Sequence, residues 1–265
     1  MTLIRGGLVV VRGAGDLATG TILRLTRAGF RVVALESERP SAIRRTVSLS
    51  EAVYEGCAQV EGVRAVRCDR VPEAWSPGDP VALLVDPGAR CLGGIRPLAL
   101  VDAILAKRNL GTRLDMAPVV VALGPGFTAG VDAHAVIETN RGHDLGRVIL
   151  RGAAEPDTGV PGLVAGHGAD RVVHAPAAGR VELLCGIGDT VAAGQAVLAV
   201  GGVAAASEVA GTVRGLIREG FEARKGLKVA DIDPRCVREH CFTVSDKALA
   251  VAGGVLEAIL ALAAP

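Results

Sequence analysis

Residues 8–36 read LVVVRGAGDLATGTILRLTRAGFRVVALE, and this stretch restricts the fold more than any other. Leu8 to Val11 is a short apolar run of the kind that forms a buried strand. Gly13-Ala14-Gly15 and Asp16 follow, and a helical pattern then carries Leu17, Ile22 and Leu25 to a stop at Gly29. A second strand, Arg31 to Leu35, ends on Glu36. Ala18 takes the third fingerprint position, and Glu36 lies 23 residues beyond Gly13. Strand, glycine turn, helix, strand and acid in this order describe a dinucleotide site. Gly13 permits the turn, Gly15 lets a diphosphate approach the backbone, and the helix N-terminus supplies free N–H groups and a partial positive charge. Thr19 and Gly20 join the candidate binding set, and Glu36 is placed to accept hydrogen bonds from a ribose. Asp16 has two readings. It repels a phosphate unless it holds a metal or a ligand N–H, or it is a helix-start carboxylate favoured by the dipole. Arg44 and Arg45 likewise read either as a phosphate clamp or as a solvated basic pair.

Composition agrees with a buried parallel sheet. Half of the 265 residues are hydrophobic, and with four Phe, one Tyr and one Trp the apolar mass is mostly Val, Ala and Leu. Lys and Arg number 29 against 28 Asp and Glu, so the chain lacks the basic footprint and the stacking platforms of a nucleic-acid binder. Arg5 and Arg12 bracket only a few apolar residues, which does not read as a leader. Six cysteines without a C-x-x-C pair form no disulfide framework, and a reducing cytoplasm is expected. Ala248 to Ala264 carries only Glu257 as a charge, is short for a membrane span, and reads as a helix docked on a protein core. No membrane association is expected.

Further along, Val81 to Val85 reads as a third strand, Pro97 to Asn109 as a helix ended by Gly111, and Pro118 to Leu123 as a fourth strand. The fourth opens into a second glycine turn, GPGFTAG, with Gly124 and Gly126 as further candidate ligand contacts. Two such turns at strand ends suggest a shared crevice. The next stretch, 131–143, is richest in chemistry. As a strand it puts Asp132, His134, Glu138 and Asn140 on one face, with Arg147 to Leu150 as a hairpin partner; as a helix it makes His134 and Glu138 neighbours. Either geometry sets a histidine beside carboxylates, an acid–base pair or part of a metal site. Asp132, His134, Glu138, Arg141 and His143 are the candidate catalytic residues. The alternative is a polar strand face packed under a loop.

The second half repeats itself. APAAGRVELLCGIGDTVAAGQAVLAV from Ala175 aligns without a gap on SEVAGTVRGLIREGFEARKGLKVADI from Ser207, an offset of 32 residues. Gly179, Gly188 and Gly194 match Gly211, Gly220 and Gly226, and Val181 matches Val213. Two such units can bury one core together. The pattern resembles the barrel-sandwich hybrid of biotinyl and lipoyl domains. The join at 201–208, GGVAAASE, holds no lysine, so no biotin or lipoyl group can be attached there. Cys236, His240 and Cys241 offer three soft ligands where a closed zinc site needs four, and whether any metal is bound stays open. Ser245 and Asp246 are placed to start a final helix. The expected layout is an α/β chain: a Rossmann-like parallel-sheet domain over 1–168, an all-β barrel-sandwich hybrid domain over 169–235, and a C-terminal helix over 236–265 packing back on the first domain.

RGAGDLATG, RRTVSLSEAVYEG, VDAILAKRNLGT, LGPGFTAGVDAHAVIETNRGHDLGRVI and CFTVSDKALAVAGGVLEAIL together resemble the YqeB family, accessory proteins associated with selenium-dependent molybdenum hydroxylases. The resemblance spans nearly the whole chain, and 124–148 is its most specific part. It implies a bacterial cytoplasmic maturation factor whose partner is the client hydroxylase, with no settled reaction. The expected ligand is a phosphate-bearing molecule such as molybdopterin dinucleotide, held at the glycine turns with His134, Glu138 and Arg141 at its reactive end. Two other readings stay open: an NAD(P)-dependent oxidoreductase, favoured by Glu36, and a non-enzymatic adaptor that docks the hydroxylase. A homodimer is the default assembly.

Overall fold

The computed structural model describes residues 6–76 and 78–263, and Arg5 and Ala264 lie outside the described residues. The chain forms two compact units: Met1–Pro40, Ser48–Asp157 and Val244–Pro265 make the first, and Ser41–Val47 with Thr158–Thr243 make the second. The division therefore does not follow the linear order of the chain. A seven-residue excursion after the second strand belongs to unit 2, whose main segment starts at Thr158, ahead of residue 169.

In unit 1 the elements run β1 (Leu8–Arg12), α1 (Asp16–Arg27), β2 (Arg31–Glu36), α2 (Ala52–Glu55), β3 (Cys57–Val60), β4 (Val63–Arg67), β5 (Val81–Val85) and β6 (Ala99–Asp102). They continue with β7 (Val119–Leu123), β8 (Thr128–Ala129), β9 (Ala135–Ile137), β10 (Val148–Ile149) and β11 (Gly152–Ala153). Nine of the strands form one sheet in the order β10-β9-β7-β6-β1-β2-β5-β4-β3, and β8 pairs with β11. Every neighbour pair from β4 to β9 is parallel, and only β3 and β10 at the edges run antiparallel. The six strands β5-β2-β1-β6-β7-β9 stand in the order 3-2-1-4-5-6 of chain appearance, that of doubly wound nucleotide-binding sheets. Val10, Val33, Leu100 and Val120 are wholly buried, as the unbroken Val and Leu runs of a covered parallel sheet require.

Two elements differ from the sequence expectation. No helix spans 97–109. Ala99–Asp102 is β6, inserted between β1 and β7, and Leu105 and Lys107 have positive φ, which a helix cannot accommodate. The run Ala-Leu-Val-Asp is too short to show its own period, and Leu100, Ile104 and Leu105 mimicked helical spacing across a strand end. The expected strand over 132–140 is reduced to Ala135–Ile137. The β3–β4 hairpin was not read from the sequence at all. Its two-residue turn is Glu61-Gly62, both with φ above zero (42° and 84°), the twist a tight hairpin demands.

α3 (Asp246–Leu262) also belongs to unit 1. Ser245 caps it, its Oγ accepting the Ala248 N–H at 3.2 Å. Among the described residues no helix is long and apolar enough to cross a membrane. The apolar face of α3 is covered by α1, and the two approach so closely that a Cβ on Gly20 would lie 2.8 Å from the Ala248 Cβ. Gly20 is thus a packing residue of the α1–α3 contact. Gly20→Val is expected to destabilise unit 1 by about 1–3 kcal/mol through overpacking. Equilibrium unfolding followed by the fluorescence of Trp75, the single tryptophan, checks this; an unchanged midpoint contradicts it.

Unit 2 contains β12 (Val172–His174), β13 (Gly179–Leu183), β14 (Thr190–Val191), β15 (Ala196–Val200), β16 (Val203–Ala206), β17 (Gly211–Leu216), β18 (Glu222–Ala223) and β19 (Lys228–Asp233). These form two antiparallel sheets, β12-β19-β17-β14 and β16-β15-β13-β18. Strands β13, β14 and β15 each begin 32 residues before β17, β18 and β19. The matched pairs Val181/Val213 and Val200/Ile232 are all fully buried, so the sequence repeat is also a repeat of strands around one core.

Candidate functional site

The carboxyl ends of β1, β2, β6, β7 and β9 share one edge of the sheet, and the polar groups of unit 1 collect there. β1 ends on Arg12, only 3% exposed. Its Nη1 donates to Asp102 Oδ2 at 3.2 Å and to Thr112 Oγ1, and its Nη2 donates to the carbonyls of Pro87 at 3.0 Å and Leu110 at 3.2 Å. Thr112 Oγ1 donates to the same Asp102 oxygen. This buried pair fixes the loops after β5 and β6 to the end of β1, and no sequence motif marked it.

The chain then turns at Gly13, whose φ of 99° is open to glycine and whose absent Cβ would lie 2.8 Å from the Ala103 carbonyl. The Ala14 N–H donates to Glu36 Oε2 at 2.9 Å, and Glu36 Oε1 accepts the Ser37 N–H at 2.7 Å. The acid at the end of β2 thus holds the glycine turn in shape. Thr19 Oγ1 donates to the Ala14 carbonyl and accepts the Leu49 N–H, so this hydroxyl is structural. Gly15 is the N-cap of the twelve-residue α1 and has no side-chain cap bond. A Cβ on Gly15 would meet nothing within 4 Å, and the first N–H groups of a helix have no partner inside the helix itself. Asp16 sits in that first turn, where the helix dipole favours a carboxylate.

The second glycine turn serves packing. Gly124 leaves room for Thr139, and Gly126 for the backbone of Arg108. The candidates from 131–143 are separated. His134 flanks the amino end of β9, where its Nδ1 accepts the Val120 N–H at 2.9 Å and closes the β7–β9 ladder. Glu138 flanks the carboxyl end, about 13 Å away at the rise of a strand. An acid–base pair of His134 and Glu138 does not form. Glu138 is buried, with Oε1 accepting the N–H groups of Thr139 and Asn140 and Oε2 that of Glu155. Asp132 accepts from Asn109 Nδ2 and the Thr128 N–H. Arg141 makes a paired contact with Asp246 at the start of α3, with Nη1 at 2.7 Å, and His143 is exposed in the turn. Arg44 and Arg45 lie in the other unit. Arg44 Nη2 donates to the carbonyls of His240 and Thr243, and Arg45 Nε to that of Leu216, so both brace the backbone of unit 2. Among the described residues, no group of three or more His, Cys, Asp or Glu is arranged to hold a metal ion.

One residue that the sequence reading passed over joins the edge. Lys247, in the first turn of α3, interacts electrostatically with Asp16, Glu138, Arg141 and Asp246. Burial and the Arg141 charge lower the pKa of its ammonium, while the three carboxylates oppose them. The start of α1 and the start of α3 thus gather two cations, Arg141 and Lys247, among three carboxylates, Asp16, Glu138 and Asp246, with Arg141 paired to Asp246. The only sequence signal was Lys next to a Ser-Asp helix start. A lysine lowered in the folded state binds fewer protons there than in the unfolded chain, so its cost to stability is relieved as pH rises toward 10.5. Lys247→Met is expected to flatten this rise. Melting temperature against pH for both proteins checks the sign, and identical slopes contradict it.

No family model matches the chain. Over 257 residues, 96% of its length, it is 50% identical to "Uncharacterized protein YqeB" of Escherichia coli (strain K12). The match supports a YqeB-like family. The chain spans about half, 48%, of the length of that relative. Among solved structures, the product-bound ectoine utilization protein EutE (DoeB) from Ruegeria pomeroyi is 13% identical over 86% of this chain and 85% of that one, with a TM-score of 0.31. A likeness that low carries no argument.

Proposed function

We propose that unit 1 binds a phosphate-bearing small molecule, molybdopterin dinucleotide, at the Gly13–Asp16 turn, and that the protein is an accessory maturation factor for a selenium-dependent molybdenum hydroxylase. The observation that carries the ligand class is the uncapped start of α1 behind Gly15, on the carboxyl edge of a parallel sheet with the 3-2-1-4-5-6 order. A diphosphate there accepts N–H groups of the first turn of α1, and Lys247, which interacts with Asp16, supplies positive charge. Asp16 lies against that anion and is held by the helix dipole and Lys247. The maturation role rests on the YqeB likeness, with the hydroxylase as partner. The antiparallel sheets and strand repeat of unit 2 support its reading as a barrel-sandwich hybrid whose join at 201–208 holds no lysine. In a host that makes the hydroxylase, removing this protein is expected to lower hydroxylase activity at constant hydroxylase protein; unchanged activity contradicts the role.

Glu36 favours a second reading, a nicotinamide dinucleotide in the same turn, because a carboxylate at the end of β2 is where a ribose acceptor stands. Its oxygens already accept the Ala14 and Ser37 N–H groups, which leaves each one lone pair for a ribose. Hydride transfer from NADH to an acceptor would decide for this reading. A protein that binds no nucleotide at all would favour the adaptor.

A further inference from the structure

A separate cavity of about 560 Å³ opens in unit 1 at the carboxyl ends of β4 and β5. This is within the size range of sites for small organic ligands, about 300–1,000 Å³. Its walls carry three guanidinium groups, Arg67, Arg70 and Arg90, against two carboxylates, Asp69 and Asp86. The Arg67 Nη1 is braced on the Val53 carbonyl at 2.8 Å, while the Arg90 side chain is 84% exposed and reaches Asp86 at 3.4 Å. Asp86 is already occupied: its Oδ2 accepts the Cys91 N–H at 2.8 Å. Burial would raise its carboxyl, but the Cys91 and Arg90 bonds outweigh that and hold it below the usual range. Three guanidinium groups against two carboxylates leave the lining with a surplus of one positive charge, and Leu84 and Ile95 add an apolar wall.

We propose that this cavity binds a phosphate-bearing small molecule, with Arg67, Arg70 and Arg90 taking the phosphoryl oxygens. Planar guanidinium groups match phosphate in paired hydrogen bonds, which suits three of them around one mouth. The site does not rest on the glycine-turn reading, since neither Gly13 nor Gly15 lines it.

Cys68 and Cys91 lie in the same wall and report on occupancy. Cys68 is half-buried, whereas burial and the Asp86 charge push the Cys91 thiol up to about 12 and leave it slow to alkylate. Cys57 and Cys236 are exposed and outside this cavity, and serve as internal controls. The experiment alkylates the whole chain with N-ethylmaleimide and reads each cysteine by mass spectrometry, with and without inorganic pyrophosphate or ADP. At ligand about four times its dissociation constant, Cys68 is expected to react about fivefold more slowly, with Cys57 and Cys236 unchanged. Arg70→Gln/Arg90→Gln is expected to abolish the protection while Cys57 and Cys236 keep their rates and buried Cys241 stays unlabelled, which shows an intact fold. Protection by pyrophosphate identifies a phosphate site, and protection by ADP alone a nucleotide site. The proposal is overturned if neither ligand slows Cys68, or if protection persists in the double variant. It is also overturned if Gly15→Asp removes the protection, because the ligand would then be sitting in the glycine turn.

Discussion

Asp102→Ala is expected to lower the stability of unit 1 by about 3–5 kcal/mol, a larger loss than any other single substitution considered in this protein. The carboxylate is 1% exposed and neutralises Arg12, which is 3% exposed at the end of the central strand. Removing it leaves a guanidinium in the sheet with Thr112 and two carbonyls as its partners among the described residues. Arg12 cannot shed its proton to escape that cost. Thr112→Val keeps the ion pair and removes one hydroxyl, so its loss should be smaller, about 1–3 kcal/mol. Trp75 fluorescence during denaturant unfolding reports unit 1 separately from unit 2. A loss below about 1 kcal/mol for Asp102→Ala would mean that the pair does not anchor the loops after β5 and β6.

Gly15→Asp is expected to separate binding from stability. Gly15 has an ordinary φ of −70° and no neighbour where a Cβ would sit, so an aspartate enters without strain. As an N-cap it satisfies one of the open N–H groups and should leave stability unchanged or raise it by up to about 1 kcal/mol. The same carboxylate occupies the position proposed for a diphosphate and repels it. Affinity for a dinucleotide is expected to fall about 100-fold or more, equivalent to about 2.7 kcal/mol. Calorimetric titration measures the first effect and a melting curve the second. Full affinity in a stable Gly15→Asp protein would remove the ligand from this turn.

The elements that were legible in the sequence are those whose signal is local. The β1–turn–α1–β2 unit reads from 8–36 because strand, glycine turn and helix follow each other without interruption. The repeat of unit 2 reads from glycines at fixed spacing. β6 did not, because four residues carry no period and its pairing partners β1 and β7 are distant in sequence. The β3–β4 hairpin was marked only by Val-Glu-Gly-Val, with Glu61 in place of the usual Asn or Asp. At the site, residue types were a poor guide to roles. His134 and Glu138 share a short stretch of sequence but flank opposite ends of β9, and each is bonded to backbone. Arg44 and Arg45 follow Glu36 closely, yet Ser41–Val47 belongs to unit 2, whose backbone they brace. Lys247 comes to the edge from a segment distant in sequence, a placement that the packing of α3 on α1, β7, β9 and β10 creates.

The most direct test of the glycine turn as a phosphate-ligand site is native mass spectrometry of the whole protein, purified without oxygen from a host that makes molybdenum cofactor, beside its Gly15→Asp variant. The expected result is a bound mass matching molybdopterin dinucleotide on the natural protein and none on the variant. A natural protein that carries no ligand and ignores added dinucleotides, or a variant equally loaded, would contradict it.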